Sequence, residues 1–100
     1  MTLRHVVSWK LAAEDDETRS AQATEVKRRL ESLVGVVPSI RALSVGVNTA
    51  FPEENWDVAL VADFADVDGL KAYGSHPAHL EAAEYIGSVR SGRVAVDFEI

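Results

Sequence analysis

The chain has 100 residues, 47% of them hydrophobic, and a formal net charge of −6, so its surface should repel nucleic-acid phosphates and nucleic acid is not an expected partner. Cysteine is absent, which excludes disulfides, thiolate nucleophiles and cysteine-based zinc sites. No apolar run approaches the roughly 20 residues of a membrane helix and no signal segment is visible. We therefore expect a single domain over residues 1–100, in the cytoplasm and without a membrane partner.

The first elements are a strand and a helix. Residues 5–11 alternate between an apolar and a mixed set, which predicts a strand with one strongly apolar side. An acidic cluster follows, with Asp15 or Asp16 as the expected N-cap of a helix. Apolar residues then recur at helical spacing until Gly35 offers a left-handed stop, so the helix is predicted to end near Val34.

Two further strands follow. Alternation resumes over residues 40–47 and predicts the second strand. The aperiodic residues 48–55 contain Asn, Pro and two Glu, which predict an exposed connection of hairpin type. The third strand covers residues 58–64, where both alternating sets are apolar. Both faces of this sheet are therefore expected to be covered.

The C-terminal part completes the pattern βαββαβ. Asp66 is the expected N-cap of a short helix that Pro77 ends or kinks, a second helical piece follows, and residues 94–100 alternate as the fourth strand. This order predicts the α+β, ferredoxin-like fold, an antiparallel sheet with both helices on one face. The other face is too apolar for water, so two subunits should pair sheet to sheet as a homodimer. The residues assigned to that face are Val6, Ala59, Val61, Val94, Val96 and Phe98.

Residues 73–79, Tyr-Gly-Ser-His-Pro-Ala-His, gather two imidazoles and a phenol around a proline. These groups transfer protons near neutral pH. His76 precedes the proline and is expected to cap the preceding helix or to bond a carbonyl that the kink leaves free. For Tyr73, His79 and the strand histidine His5, two interpretations stay open: packed side chains bonded to backbone, or the walls of a ligand site.

Other chemistries find little support. No pair of histidines has the i, i+4 spacing of a helical metal site, since His76 and His79 are three apart with Pro77 between them. Phosphate-binding glycine loops, nucleophile elbows and dinucleotide fingerprints do not occur. We expect neither a metal nor an organic cofactor.

Four stretches together resemble the stress-responsive dimeric α/β-barrel (Dabb) family. They are residues 4–10, 36–40, 57–64 and, most specifically, the His-Pro-Ala-His run that follows a tyrosine in residues 73–79. The resemblance implies ferredoxin-like subunits that pair sheet to sheet into a dimeric α/β barrel. It leaves the function open, because the family includes stress proteins as well as a plant polyketide cyclase.

In the cyclase-like members, the resemblance implies a general base at His79 and a tyrosine at Tyr73 that holds the substrate carbonyl or its enolate. It also implies that an aspartate corresponding to Asp97 orients the base, although strand alternation by itself predicts Asp97 on a solvent-facing side. Val58 stands where the cyclase-like sequence has another histidine, and residues 24–28 replace bulky aromatics of the first helix, so a long alkyl-bearing substrate is not expected to fit the same pocket. The side chains expected to line the ligand pocket are His5, Trp9, Leu60 and Asp97.

The leading expectation for function is a stress-responsive Dabb-type homodimer with a small-molecule pocket between helices and sheet, open to a small apolar carbonyl ligand. The first alternative is a polyketide-cyclase-like lyase or isomerase that uses His79 and Tyr73. The second is a purely structural stress-protection dimer whose histidines are buried. A haem-binding or cofactor-free monooxygenase role, by analogy with other barrels of this shape, is a third.

Overall fold

Four strands and three helices make up the computed structural model, which describes residues 1–100. The helical region after the third strand forms two helices, because Pro77 begins a new helix instead of bending the old one. No helix is both long enough and apolar enough to cross a bilayer. The strands are β1 (Leu3–Leu11), β2 (Ala42–Val47), β3 (Val58–Phe64) and β4 (Arg90–Glu99). The helices are α1 (Asp16–Glu31), α2 (Val67–Ser75) and α3 (Pro77–Val89).

The sheet has the strand order β2-β3-β1-β4, and all neighbouring pairs are antiparallel. Its centre is β1, in which Val6 lies opposite Val61 of β3 on one side and Val96 of β4 on the other. The helices pack against one face only. This arrangement confirms the predicted ferredoxin-like fold.

Helix boundaries follow local capping. Asp15 accepts a hydrogen bond from the Thr18 amide at 2.8 Å, and Asp66 accepts one from the Gly69 amide at 2.8 Å, so the two predicted N-caps are confirmed. Helix α1 ends at Glu31, three residues before the predicted end. The chain tightens into turns there before Gly35, whose φ of +84° favours glycine, reverses it.

The face of the sheet that the helices cover, here called the helix side, carries the core. In β1 this face consists of Leu3, His5, Val7, Trp9 and Leu11, which are all buried. The helices do not extend over β4, in which every residue except Gly92 is exposed. The helix side of β4 is therefore an exposed surface beside the packed core.

The opposite face of the sheet, here called the open face, has no covering element. Val61 is 36% exposed, Val94 50%, Val96 59% and Phe98 42%, and register places them with Val6 on one surface. A contiguous apolar surface of this kind is typical of an interface between proteins. The predicted uncovered apolar face is therefore present.

Candidate functional site

The junction between α2 and α3 sets the geometry of the site. His76 leaves the helical conformation, with φ −64° and ψ 134°, and its amide donates to the Tyr73 carbonyl at 3.2 Å. His76 therefore caps the preceding helix, as predicted, through its backbone. Its side chain caps the following helix instead, because its ring Nδ1 accepts from the Ala78 amide at 3.1 Å. Pro77 is the first residue of α3. Its fixed φ suits a helix, and the N–H that proline lacks would have no partner within the first turn. Tyr73 and His79 are thereby held on either side of a rigid corner.

His79 is held in one tautomer by its backbone contact. Its Nδ1 lies 3.0 Å from the carbonyl oxygen of Gly74, which can only accept, so Nδ1 carries the proton and donates. In the neutral ring, Nε2 then keeps its lone pair, and no protein group bonds to it. Burial lowers the pKa of His79 from its ordinary 6.5, the charges of His5 and Arg93 lower it further, and the Gly74 contact opposes the shift. The imidazole is therefore a neutral base at physiological pH.

Tyr73 packs its ring against that imidazole. The ring centroids of Tyr73 and His79 are 4.3 Å apart, and the Phe64 ring lies 5.1 Å away on the other side. Only 2% of Tyr73 is exposed, yet its hydroxyl makes no hydrogen bond to the protein. Burial raises the pKa of Tyr73 to about 12, although the charge of Arg93 acts in the opposite direction. The phenol therefore stays protonated near neutral pH and is free to donate.

His5 and Asp97 form a pair across β1 and β4. The two residues are directly opposite in the strand register, and Nδ1 of His5 donates to Oδ1 of Asp97. The His5 ring centroid lies 6.4 Å from that of Tyr73, which connects the pair to the rest of the cluster. We refer to His5, Tyr73, His79 and Asp97 as the polar cluster.

Asp97 agrees with one of the two predictions made for it. It is exposed to solvent, as strand alternation predicts, because no helix covers β4, although it lies on the helix side of the sheet. It bonds to His5 and not to His79, whose Nδ1 is held by Gly74, so the prediction that Asp97 orients the base His79 is wrong. Asp97 therefore orients the strand histidine, and the backbone orients His79.

Trp9 and Leu60 do not join the polar cluster. Trp9 is 6% exposed and Leu60 is 1% exposed, and both belong to the hydrophobic core under the helices. Trp9 follows His5 by four residues on the same face of β1, a separation of about 13 Å along an extended strand. In the single subunit these two side chains present almost no surface to a ligand.

Arg93 is a neighbour of the cluster that the sequence interpretation left out. It lies opposite Trp9 in the register, on the helix side of β4, and its charge reaches both Tyr73 and His79. Strand alternation places Arg93 and Asp97 on one face, and that was the signal that could have identified it. Arg93 could be recognised as a neighbour of Tyr73 and His79 only once α2 and α3 were known to lie beside this face.

The surroundings of the cluster form an open surface. Five of the surface cavities, of about 190 to 650 Å³, are lined by other residues. No three histidine or carboxylate side chains lie close enough to hold a metal ion. The groups present are thus a neutral base, a protonated phenol and a histidine–aspartate pair, which are suited to holding a carbonyl group and moving a proton beside it.

The sheet order and the one-sided helix layer define a ferredoxin-like α+β protein. The chain belongs to the Stress responsive A/B Barrel Domain (Dabb) family, which it matches over residues 3–100. The family resemblance drawn from the sequence is confirmed. No curated protein sequence matches the chain.

Solved structures support this assignment. The chain is similar to a dimeric ferredoxin-like protein of unknown function from Bacteroides fragilis, with 30% identity and a TM-score of 0.91 over 99% of this chain and 96% of that one. A dimeric ferredoxin-like protein of unknown function from Thermobifida fusca shows 29% identity and a TM-score of 0.85, covering 100% and 92%. A hydroxynitrile lyase from Passiflora edulis shows 16% identity and a TM-score of 0.80, covering 99% and 93%. The last likeness concerns the fold alone.

Proposed function

We propose that this chain forms a homodimer through its open face and that each subunit binds a small carbonyl compound at the polar cluster. The dimer is supported by the exposed apolar row on that face and by the dimeric state of the similar Bacteroides fragilis and Thermobifida fusca proteins. Pairing two such faces would remove Val94, Val96 and Phe98 from water, which favours association.

The observation that carries the ligand proposal is the pairing of two unused polar atoms. The hydroxyl of Tyr73 and Nε2 of His79 belong to rings 4.3 Å apart, and neither atom has a hydrogen-bond partner in the protein. The Tyr73 side chain is buried and His79 is half-buried, but neither polar atom is among the fully buried atoms that lack a partner, so both can be reached from the surface. A ligand oxygen at the hydroxyl and a C–H group at the imidazole would use both atoms.

The same geometry supports proton transfer. A ketone oxygen would accept from the Tyr73 hydroxyl, which acidifies the adjacent C–H bond. Nε2 of His79 takes that proton, and the C–H electron pair becomes the enolate, which the phenol stabilises. In an isomerisation, the imidazolium returns the proton to another carbon of the enolate. In an aldol-type cyclisation, the enolate carbon forms a bond to a second carbonyl carbon of the ligand, the π electron pair of that carbonyl moves to its oxygen, and the imidazolium protonates this oxygen. Neither course requires an organic cofactor.

A purely structural dimer is the second candidate. It is favoured by the position of Trp9 and Leu60 in the core and by five surface cavities that lie elsewhere on the subunit. In that case the hydrogen bond from His79 to Gly74 would only stabilise the junction between α2 and α3. The two candidates differ in whether a carbonyl compound reaches His79.

Removal of the Tyr73 hydroxyl is expected to weaken binding of a neutral ketone, methyl 3-benzoylpropanoate, by about fivefold in Tyr73→Phe, since one neutral hydrogen bond contributes roughly 1 kcal/mol. The measurement is an NMR titration that follows the His79 ring signals. Tyr85→Phe is the matched control, because Tyr85 lies on α3 under Arg29 and away from the cluster. If the wild-type His79 signals ignore the ketone, the structural dimer is the better account; equal losses in both variants would remove Tyr73 from the site.

A further inference from the structure

We propose that the compound bound at the polar cluster is an oxo acid, whose carboxylate is held by Arg93 while its ketone faces Tyr73 and His79. This inference rests on the proposed function and narrows it from carbonyl compounds in general to anionic ones. It assigns a specificity role to a residue of β4 that contributes nothing to the core.

The register of β4 places three side chains in a row on the helix side. Arg93 lies opposite Trp9, Ala95 opposite Val7 and Asp97 opposite His5. Residues two apart on a strand are about 6.5–7 Å apart, so Arg93 and Asp97 are separated by about 13 Å with a single methyl group between them. Because the Ala95 side chain is small, the exposed surface of β4 between Arg93 and Asp97 has space for the part of a ligand that joins its carboxylate to its ketone.

The guanidinium of Arg93 is not used by the protein. Arg4 pairs with Asp63, and Arg28 and Arg29 pair with Glu25, but no carboxylate lies within 4.0 Å of Arg93. The nearest acidic residue in its own row, Asp97, is bonded to His5. An unpaired arginine on an exposed strand matches the planar, two-oxygen geometry of a carboxylate.

The electrostatic setting agrees with this assignment. The chain has a net charge of −6, so an anion needs a local positive field in order to approach. Arg93 supplies a positive field at the cluster. Burial has the larger effect on both pKa values, raising that of Tyr73 and lowering that of His79, but the charge of Arg93 acts on both groups and favours the lower pKa in each. A carboxylate on Arg93 would thus lie within electrostatic range of the phenol and the imidazole that act on the ketone.

The test compares 3-benzoylpropanoate with its methyl ester, two compounds that share the ketone and differ in charge. NMR titrations of the wild type at pH 7.5 should show about tenfold tighter binding of the acid, as expected for one exposed charge-assisted hydrogen-bonded pair. Arg93→Gln should lose this preference and keep its affinity for the ester. Arg90→Gln is the matched control, since it removes the same charge from an exposed position at the start of β4, on the side of Arg93 that points away from Asp97 and His5.

The outcomes separate this inference from the function on which it rests. If the wild type binds both compounds equally at His79, the ketone site stands and the role of Arg93 is refuted. A loss of preference in Arg90→Gln as large as in Arg93→Gln would also refute it, because general charge would then explain the effect. Binding of neither compound would overturn the proposed function, and the oxo-acid specificity with it.

Discussion

Replacement of His79 by glutamine is expected to slow the exchange of ketone α-hydrogens for deuterium by about 10²- to 10⁴-fold, the usual contribution of a general base. The imidazole Nε2 has a free lone pair, because Gly74 holds the proton on Nδ1. A glutamine amide can still donate to the Gly74 carbonyl, but it has no basic nitrogen. The rate is measured by proton NMR as the loss of the methylene signal next to the ketone of methyl 3-benzoylpropanoate in D₂O.

His76→Gln is the control for this experiment. His76 belongs to the same run, but its Nδ1 caps α3 by accepting from Ala78, and a glutamine carbonyl oxygen can accept in its place. Most of the exchange rate should therefore remain. An unchanged rate in His79→Gln, or an equal loss in both variants, would show that His79 is not the base.

A carboxylate at position 96 is expected to raise the dissociation constant of the homodimer by about 100-fold or more, because burying an unpaired charge costs at least 3 kcal/mol or so. Val96 is 59% exposed in the single chain and lies opposite Val6, in the middle of the open face. Since the side chain already contacts water, Val96→Glu should leave the subunit folded. Sedimentation equilibrium at micromolar concentration measures the shift.

Val67→Glu is the matched control for the interface. Val67 is 53% exposed, but it begins α2 on the helix side, where a negative charge suits the helix N-terminus. This variant should remain as dimeric as the wild type. A wild type that sediments as a monomer, or a Val96→Glu variant that associates as tightly as the wild type, would contradict the assignment of the open face to the interface.

Much of the fold could be predicted because its determinants are local. Period-two alternation identified β1 and β3, and the caps Asp15 and Asp66 are recognisable from their side chains and the apolar pattern that follows. The end of α2 near Pro77 could be predicted for the same reason. These features depend on neighbours in the sequence, so one sequence was enough to find them.

The candidate site was only partly predictable because it depends on register and coverage. Alternation places Arg93 and Asp97 on the face opposite Val96, which is the helix side, but it does not show that the helices stop short of β4. Alternation places Trp9 and Leu60 on apolar faces of their strands, but it does not decide whether such a face forms the core or the wall of a pocket. Which nitrogen of His79 is free follows from the carbonyl of Gly74, a contact that exists only in the folded corner.

The proposal that His79 is the free base of a ligand site is tested by a ¹⁵N NMR pH titration of His79, with and without methyl 3-benzoylpropanoate. We expect a pKa below 6.5, a proton on Nδ1 at neutral pH, and a shift of the Nε2 signal when the ketone is added. Because folding lowers this pKa, the associated stability is present above pH 6.5 and is lost as the pH falls through the folded value. A pKa above 6.5, a proton on Nε2 at neutral pH, or an Nε2 signal that ignores the ketone would contradict the proposal that His79 is the free base of a ligand site.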